Sequence, residues 1–256
     1  MRQDIYCGTA ETIGSVELVD YMGDDKRIVD AARVSFAKRA DQFTDEENDG
    51  LLKYLWRNQH TGPFEQVVLY FRVEAPLYVV RQWFRHRTAR VNEVSRRYVD
   101  DTPRFYIPEM RKVGSSNKQG SSQEIVEDVV AAENIFSTNN AEALNDYEEL
   151  LARGVAPELA RTLLPVNMMT EFVWQMDLHN LFHFLALRLD DHAQKEIRKF
   201  AEAILELTRV VAPAAVAVFE TYNQIDSLVR QLKNAFKKNP EFLSAELDFI
   251  LRRLDI

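Results

Sequence analysis

Between Gln66 and Arg104 the chain changes character twice, and that succession limits what it can fold into. Residues 66–74, with Val67, Val68, Tyr70, Phe71 and Val73, are dense in β-branched and aromatic side chains and predict a strand. Pro76 then suits the first turn of a helix. On that helix Gln82 precedes Arg85 by three residues and His86 by four, so the three share a face. From Arg81 to Arg104 there follow seven arginines and no lysine. A globular chain gains no stability from crowding like charges, so a polyanionic ligand is the natural explanation. Thr88 to Glu93 reads as an irregular loop inside this segment.

The rest of the chain mixes both periods. Residues 15–22 alternate loosely through Val16, Leu18 and Tyr21 and predict a strand. Residues 25–37 place Ile28, Ala31, Ala32 and Ser35 on one helical side. Thr44 with Glu47 three positions later is a capping signature for a helix carrying Leu51, Leu52, Leu55 and Trp56. That helix should stop near His60-Thr61-Gly62-Pro63. Between Val113 and Glu124 no apolar residue occurs, which predicts a mobile loop or lid over about 112–123. Residues 125–153 read as a helix stopped by Gly154, with Pro157 opening a short one. Phe172, Trp174 and Met176 alternate along a strand over 170–176, and Asp177 can cap a helix from Leu178 to about Leu189. Residues 193–211 predict another helix, and about 227–256 a charged amphipathic helical extension. No repeat and no clean linker divides the sequence, so a single domain over 1–256 is expected.

The 256-residue chain carries a net charge of -8, unlike a general nucleic-acid binder. Its positive charge is local: within 81–104 the seven arginines face only Glu93, Asp100 and Asp101. That contrast suits a pocket for a small anion, since arginine grips phosphate or carboxylate through a planar two-bond fork. Cys7 is the single cysteine, which excludes an intramolecular disulfide and a cysteine-rich metal site. Met1-Arg2-Gln3-Asp4 lacks the apolar core of a secretory leader, and no run approaches the ~18 apolar residues of a membrane helix. The expected compartment is the cytoplasm, with no membrane partner.

Spacing within the arginine segment is specific. Arg85-His86-Arg87 is followed, after seven residues, by Ser95, with Asn92-Glu93 inside the gap and Arg97 beyond the serine. This pattern resembles the signature of the flavin-dependent thymidylate synthases. Further segments resemble the same family: His60-Thr61-Gly62-Pro63-Phe64-Glu65 upstream and Arg161-Thr162-Leu163-Leu164-Pro165 downstream. Asn180-Leu181 through Leu187-Arg188 and His192-Ala193-Gln194-Lys195-Glu196-Ile197 complete the series. The likeness runs from about Ser15 to about Val211.

What the resemblance implies is an α+β fold, a twisted and largely antiparallel sheet flanked by helices. Assembly would be a homotetramer whose sites draw on several subunits. The implied reaction is methylation of dUMP to dTMP, with methylenetetrahydrofolate as carbon donor and FAD, reduced by NADPH, as hydride source. By the same resemblance Arg85, His86 and Arg87 contact FAD, and Glu93 sits between flavin and nucleotide. Val94, Ser95, Arg96 and Arg97 surround the dUMP phosphate, with Gln82, Arg85 and Arg161 as further nucleotide contacts. Arg188 is the implied catalytic residue, placing positive charge beside uracil and favouring its N3-deprotonated form. His60, Gly62, Asp177, His179 and His183 are implied to lie near the flavin.

Without the resemblance, several of these residues have plainer roles. The arginine cluster can be a solvated loop, Arg161 a surface side chain, and His60 a helix cap. Arg188 interrupts the apolar run Leu181, Phe182, Phe184, Leu185, Leu187 and Leu189, where a buried guanidinium needs a partner. His179 and His183 could share zinc, but no third ligand accompanies them, so no metal is expected. A serine nucleophile needs an adjacent base, and nothing places one beside Ser95, which favours a phosphate ligand. Cys7 lies outside every motif, against the cysteine-dependent, folate-only route. Two other classes remain open: an arginine-rich nucleic-acid-binding module, with steep salt dependence, and a flavin-binding reductase of the same fold. The first is disfavoured by the acidic net charge, so no nucleic-acid polymer is expected as partner. The second would bind FAD but not dUMP.

Overall fold

The computed structural model describes residues 4–7, 13–99, 101–114 and 120–238. Strands β1 (Asp4–Cys7) and β2 (Gly14–Met22) come first, followed by helices α1 (Asp25–Arg33) and α2 (Asp45–Arg57). Next, β3 (Val68–Pro76) runs straight into α3 (Leu77–Trp83). After β4 (Arg90–Glu93), β5 (Arg111–Val113) and β6 (Ser121–Ile125) lie α4 (Val129–Ala152) and the single turn α5 (Pro157–Ala160). A second strand-to-helix junction joins β7 (Met169–Asp177) to α6 (Leu178–Arg188), before α7 (Lys195–Val211) and α8 (Pro213–Lys238).

Five strands form one sheet in the order β1-β2-β3-β7-β4, and every pairing is antiparallel. The centre is the β3–β7 pair, registered from Val68↔Asp177 to Pro76↔Met169. Strand alternation puts Leu69, Phe71, Val73, Phe172, Trp174 and Met176 on one buried face, with Phe71 opposite Trp174 and Val73 opposite Phe172. Helices cover that face. Trp83 from α3 meets Phe172 and Trp174 edge-on at 5.2 and 5.4 Å, and Phe184 of α6 and Phe200 of α7 fill the space beside it. Each such side chain contributes about 1.5–3 kcal/mol through burial, so this cluster holds helices to sheet. The opposite face carries polar groups such as the Arg72–Glu171 ion pair at 3.3 Å. The architecture is thus α+β, an antiparallel sheet flanked by helices.

One topological consequence positions the site. Because β3 and β7 are antiparallel, α3 and α6 leave opposite ends of the sheet and fold back over the same face. Their C-terminal ends meet, and Arg188, last residue of α6, reaches the carbonyl of Gln82 in α3.

Several boundaries differ from the sequence expectations. Residues 64–66 form a 3-10 turn, β3 starts at Val68, and Pro76 caps α3 instead of occupying its first turn. Helix α3 ends at Trp83, so Arg85 and His86 lie beyond it, in a turn closed by the His86 N–H donating to the Trp83 carbonyl at 3.0 Å. Residues 90–93 are not loop: they pair with β7 as an edge strand, from Arg90↔Gln175 to Glu93↔Phe172. The stretch 112–123, expected as a loop, runs into strands at both ends, since 112–113 belong to β5 and 121–123 to β6 of one hairpin, and residues 115–119 lie outside the described ones. Ile125 belongs to β6, and α4 begins only at Val129. Ser35 sits in a 3-10 turn after α1 and is exposed. The terminal helix begins at Pro213, well before residue 227, and residues 239–256 lie outside the described chain.

Candidate active site

A cavity of about 890 Å³ opens where α3, the β5–β6 hairpin and the start of α7 converge. Gln82 and Arg188 line it, together with Tyr78, Arg111, Asn167 and Glu196. Arg188 is held at two points: its Nε–H donates to His86 Nε2 at 3.1 Å and its Nη2 to the Gln82 carbonyl at 3.0 Å. Burial holds this guanidinium below the usual arginine value. His86 is buried, its ring 4.9 Å from Phe184 and 6.1 Å from His183. Burial first, then the charges of Arg188 and His183, push its pKa from 6.5 down to about 4, so the imidazole is neutral at physiological pH.

A second group forms at the end of β4. Glu93 accepts a hydrogen bond from Thr170 Oγ1 at 2.8 Å. The chain then turns over Ser95, whose carbonyl accepts from the Tyr98 N–H at 3.0 Å and whose Oγ accepts from the Arg97 N–H at 3.4 Å. Arg97 pairs with Glu158 at 3.2 Å, and Arg161 Nε donates to the carbonyl of that same Glu158 at 3.4 Å. The fold therefore brings Arg97 and Arg161 to one α5 residue, with Ser95 in the turn that carries Arg97. Arg96 is engaged elsewhere, with Asp101 Oδ1 at 2.6 Å and the Asp101 carbonyl at 2.7 Å. Val94 donates its N–H to the Glu171 carbonyl at 2.9 Å.

A third group lies toward the start of α6. Asp177 caps that helix, accepting from the Asn180 N–H at 3.0 Å and its Nδ2 at 2.7 Å. His179 is half-buried, and His183, one turn further along, is exposed. His60 stands edge-on to Tyr54 at 5.8 Å, and a side chain at Gly62 would meet open space. Arg85 and Arg87 are exposed, with no ion-pair partner among the described residues. Of the predicted set, the described residues that line the cavity are Gln82 and Arg188.

Sequence reasoning missed the cavity's other charged wall. Arg111 Nη2 donates to Glu196 Oε1 at 2.6 Å, with side chains only 7% and 1% exposed. Arg111 also reaches Glu109 at 3.1 Å and Ser121 Oγ at 2.9 Å, and Lys195 reaches Glu109 at 2.5 Å. Burial, the largest influence, lowers the Arg111 value, but the hydrogen bonds and charges of Glu196 and Glu109 together outweigh it and the net direction is up. The Lys195 hydrogen bond holds the Glu109 carboxyl below its ordinary range. Tyr78, pushed up by its own burial, has a hydroxyl with no hydrogen-bond partner among the described residues. One signal was readable: Glu196 falls on the apolar stripe of α7, four residues before Phe200, where a lone carboxylate would be costly.

Residues 17–214 match the family model described as thymidylate synthase complementing protein. The chain belongs to that family. Curated relatives of this thymidylate synthase complementing family member carry the name flavin-dependent thymidylate synthase. One from Treponema denticola is 48% identical over 216 residues, 82% of this chain and 80% of the relative. Another, from Thermus thermophilus, is 50% identical over 210 residues, 82% of this chain and 76% of the relative. Among solved structures, a UMP/dUMP methylase, PolB, from Streptomyces cacaoi bound with 5-Br dUMP superposes with a TM-score of 0.75. It is 31% identical, covering 81% of this chain and 95% of that one.

Proposed function

We infer that the chain is a flavin-dependent thymidylate synthase, converting dUMP to dTMP with methylenetetrahydrofolate as carbon donor. FAD is its cofactor and NADPH the reductant. The observation that carries this reading is the family match over residues 17–214, with near-half identity to relatives of that name. The geometry agrees with it. A desolvated, two-point-anchored guanidinium faces a cavity, and a separate serine–arginine corner is suited to phosphate.

The chain's own groups fit a flavin. Arg85 and Arg87 flank His86, and their exposed forks, without an ion-pair partner among the described residues, suit a pyrophosphate. When bound, the flavin supplies the hydride that completes the methyl group, the hard chemistry a side chain cannot provide. Arg188 presents positive charge to uracil and favours the N3-deprotonated form. Because it is already fixed, no reorganisation accompanies the charge change. Ser95, Arg97 and Arg161 hold the phosphate through a hydroxyl and two guanidiniums. Gln82, Arg85 and Glu93 complete the nucleotide contacts. Val94 shapes the turn, and Arg96, its side chain held by Asp101, offers a backbone N–H.

His60, Gly62, Asp177, His179 and His183 complete the flavin site from another direction. The family likeness is read as extending to a homotetramer whose sites draw on several subunits. Exposed apolar side chains such as Val91, Val130 and Ile135 provide surface for such assembly. One domain spans the chain, and its small anionic substrates suit the cytoplasm. Among the described residues no helix is long and apolar enough to cross a membrane.

The test is product formation. Protein stripped of flavin and then reloaded with FAD is given dUMP, methylenetetrahydrofolate and NADPH, and dTMP is sought by mass spectrometry. UMP is run in parallel, because the solved neighbour is named for both nucleotides. FAD-dependent dTMP supports the reading; no product with all ligands bound refutes it.

A further inference from the structure

We propose that His86 is a positioning residue for Arg188, its imidazole fixing the guanidinium at the cavity together with the Gln82 carbonyl. This rests on the reading of Arg188 as the group beside uracil, and it gives His86 a role separate from flavin contact.

Donor–acceptor logic decides the imidazole's state. Every N–H of arginine is a donor and the group stays protonated. A nitrogen 3.1 Å from Arg188 Nε must therefore accept, which places the ring proton on Nδ1 and leaves His86 neutral. Protonation would set donor against donor and cation against cation, in keeping with the low pKa of this ring.

The backbone supplies the second anchor. Helix α3 stops at Trp83, leaving its last carbonyls without intrahelical partners. Val80 is served by the Phe84 N–H and Trp83 by the His86 N–H, while Arg188 takes the Gln82 carbonyl. Phe184, one turn before Arg188 on the same face of α6, packs its ring against the imidazole at 4.9 Å. The imidazole is thus clamped between two α6 side chains. Of the guanidinium's five N–H groups, the two bonds to His86 and Gln82 use one on Nε and one on Nη2. Among the described residues the rest have no partner, which leaves them to a ligand in the cavity that Arg188 lines.

A side chain that acts through Arg188 must leave a signature distinct from a flavin ligand. Two amides differ in reach: Gln at position 86 can place an oxygen near the Nε2 position, whereas the shorter Asn places its amide near Nδ1. Four FAD-loaded variants decide it: H86Q, H86N, R188A and the double H86N/R188A, with flavin content from visible absorbance, dUMP affinity by titration, and kcat and KM for dTMP formation. H86N is expected to retain flavin and lose roughly tenfold to a hundredfold in kcat, the size of a lost hydrogen bond to a charged group. H86Q should recover most of that loss, and H86N should add little in the R188A background. Flavin lost in step with activity in both His86 variants would overturn the proposal, as would H86Q no better than H86N, or fully additive losses. R188A with normal turnover would instead refute the reading of Arg188, and the positioning role with it.

Discussion

Replacing Glu196 by leucine should destabilise the protein by about 2–3 kcal/mol, and replacing Arg111 as well should restore most of it. The pair is withdrawn from water at both ends, with side chains 7% and 1% exposed and a 2.6 Å contact. Removing one partner of such a pair costs about 3–5 kcal/mol, because the other charge is left uncompensated. Arg111 would keep Glu109, itself 44% exposed, and Ser121, which places the loss near the lower limit. The leucine returns about 1 kcal/mol by burying apolar surface along the α7 stripe. At a urea slope of roughly 2–3 kcal/mol/M, the midpoint should fall by about 1 M. Protein concentration is held fixed, since assembly shifts apparent stability. In E196L/R111M no buried charge remains, and the midpoint should return to within about 0.5 M of wild type. An E196L midpoint indistinguishable from wild type, or a double variant less stable than the single, would refute the argument that an isolated Arg111 charge is the source of the loss.

Other expectations follow from the same geometry. Arg97→Ala should weaken dUMP binding by roughly tenfold or more, the scale of a charge-assisted hydrogen bond; unchanged affinity by titration would remove Arg97 from the phosphate site. Glu158→Gln should tighten dUMP slightly, by up to about fivefold, since phosphate no longer competes with an exposed ion pair worth at most ~1 kcal/mol; weaker binding would contradict that competition. For His86 the pH sign is set by its lowered pKa. The unfolded chain takes the proton near 6.5 and the folded chain only near 4, so stability falls as pH drops through that window. H86Q has no such proton to take, and its urea midpoint should fall less than wild type's between pH 7 and 4.5; parallel declines would show that His86 does not resist protonation.

Where the sequence was informative, the cause was local. Thr44 and Glu47 form the capping box their spacing predicts, and Asp177 caps α6, because both devices span only three residues. The strands at 15–22 and 170–176 are readable since alternation follows directly from a half-buried sheet. What failed was long-range. Nothing in Arg90-Val91-Asn92-Glu93 announces pairing with Gln175 to Phe172, and the polar β5–β6 stretch has no apolar pattern to betray a hairpin. The site divides in the same way. The R-H-R and Ser–Arg spacing identified the family, yet the bond between His86 and Arg188 joins residues 102 apart. Arg111 was missed because its significance depends on burial beside Glu196, 85 residues away.

The most direct test of the central claim is loss of tritium from dUMP labelled at C5. The assay supplies methylenetetrahydrofolate and NADPH to the stripped protein with and without FAD. Methylation at C5 must expel that hydrogen, so release should depend on FAD and match dTMP formed. Release without FAD, or none although dUMP and FAD are both bound, would contradict it.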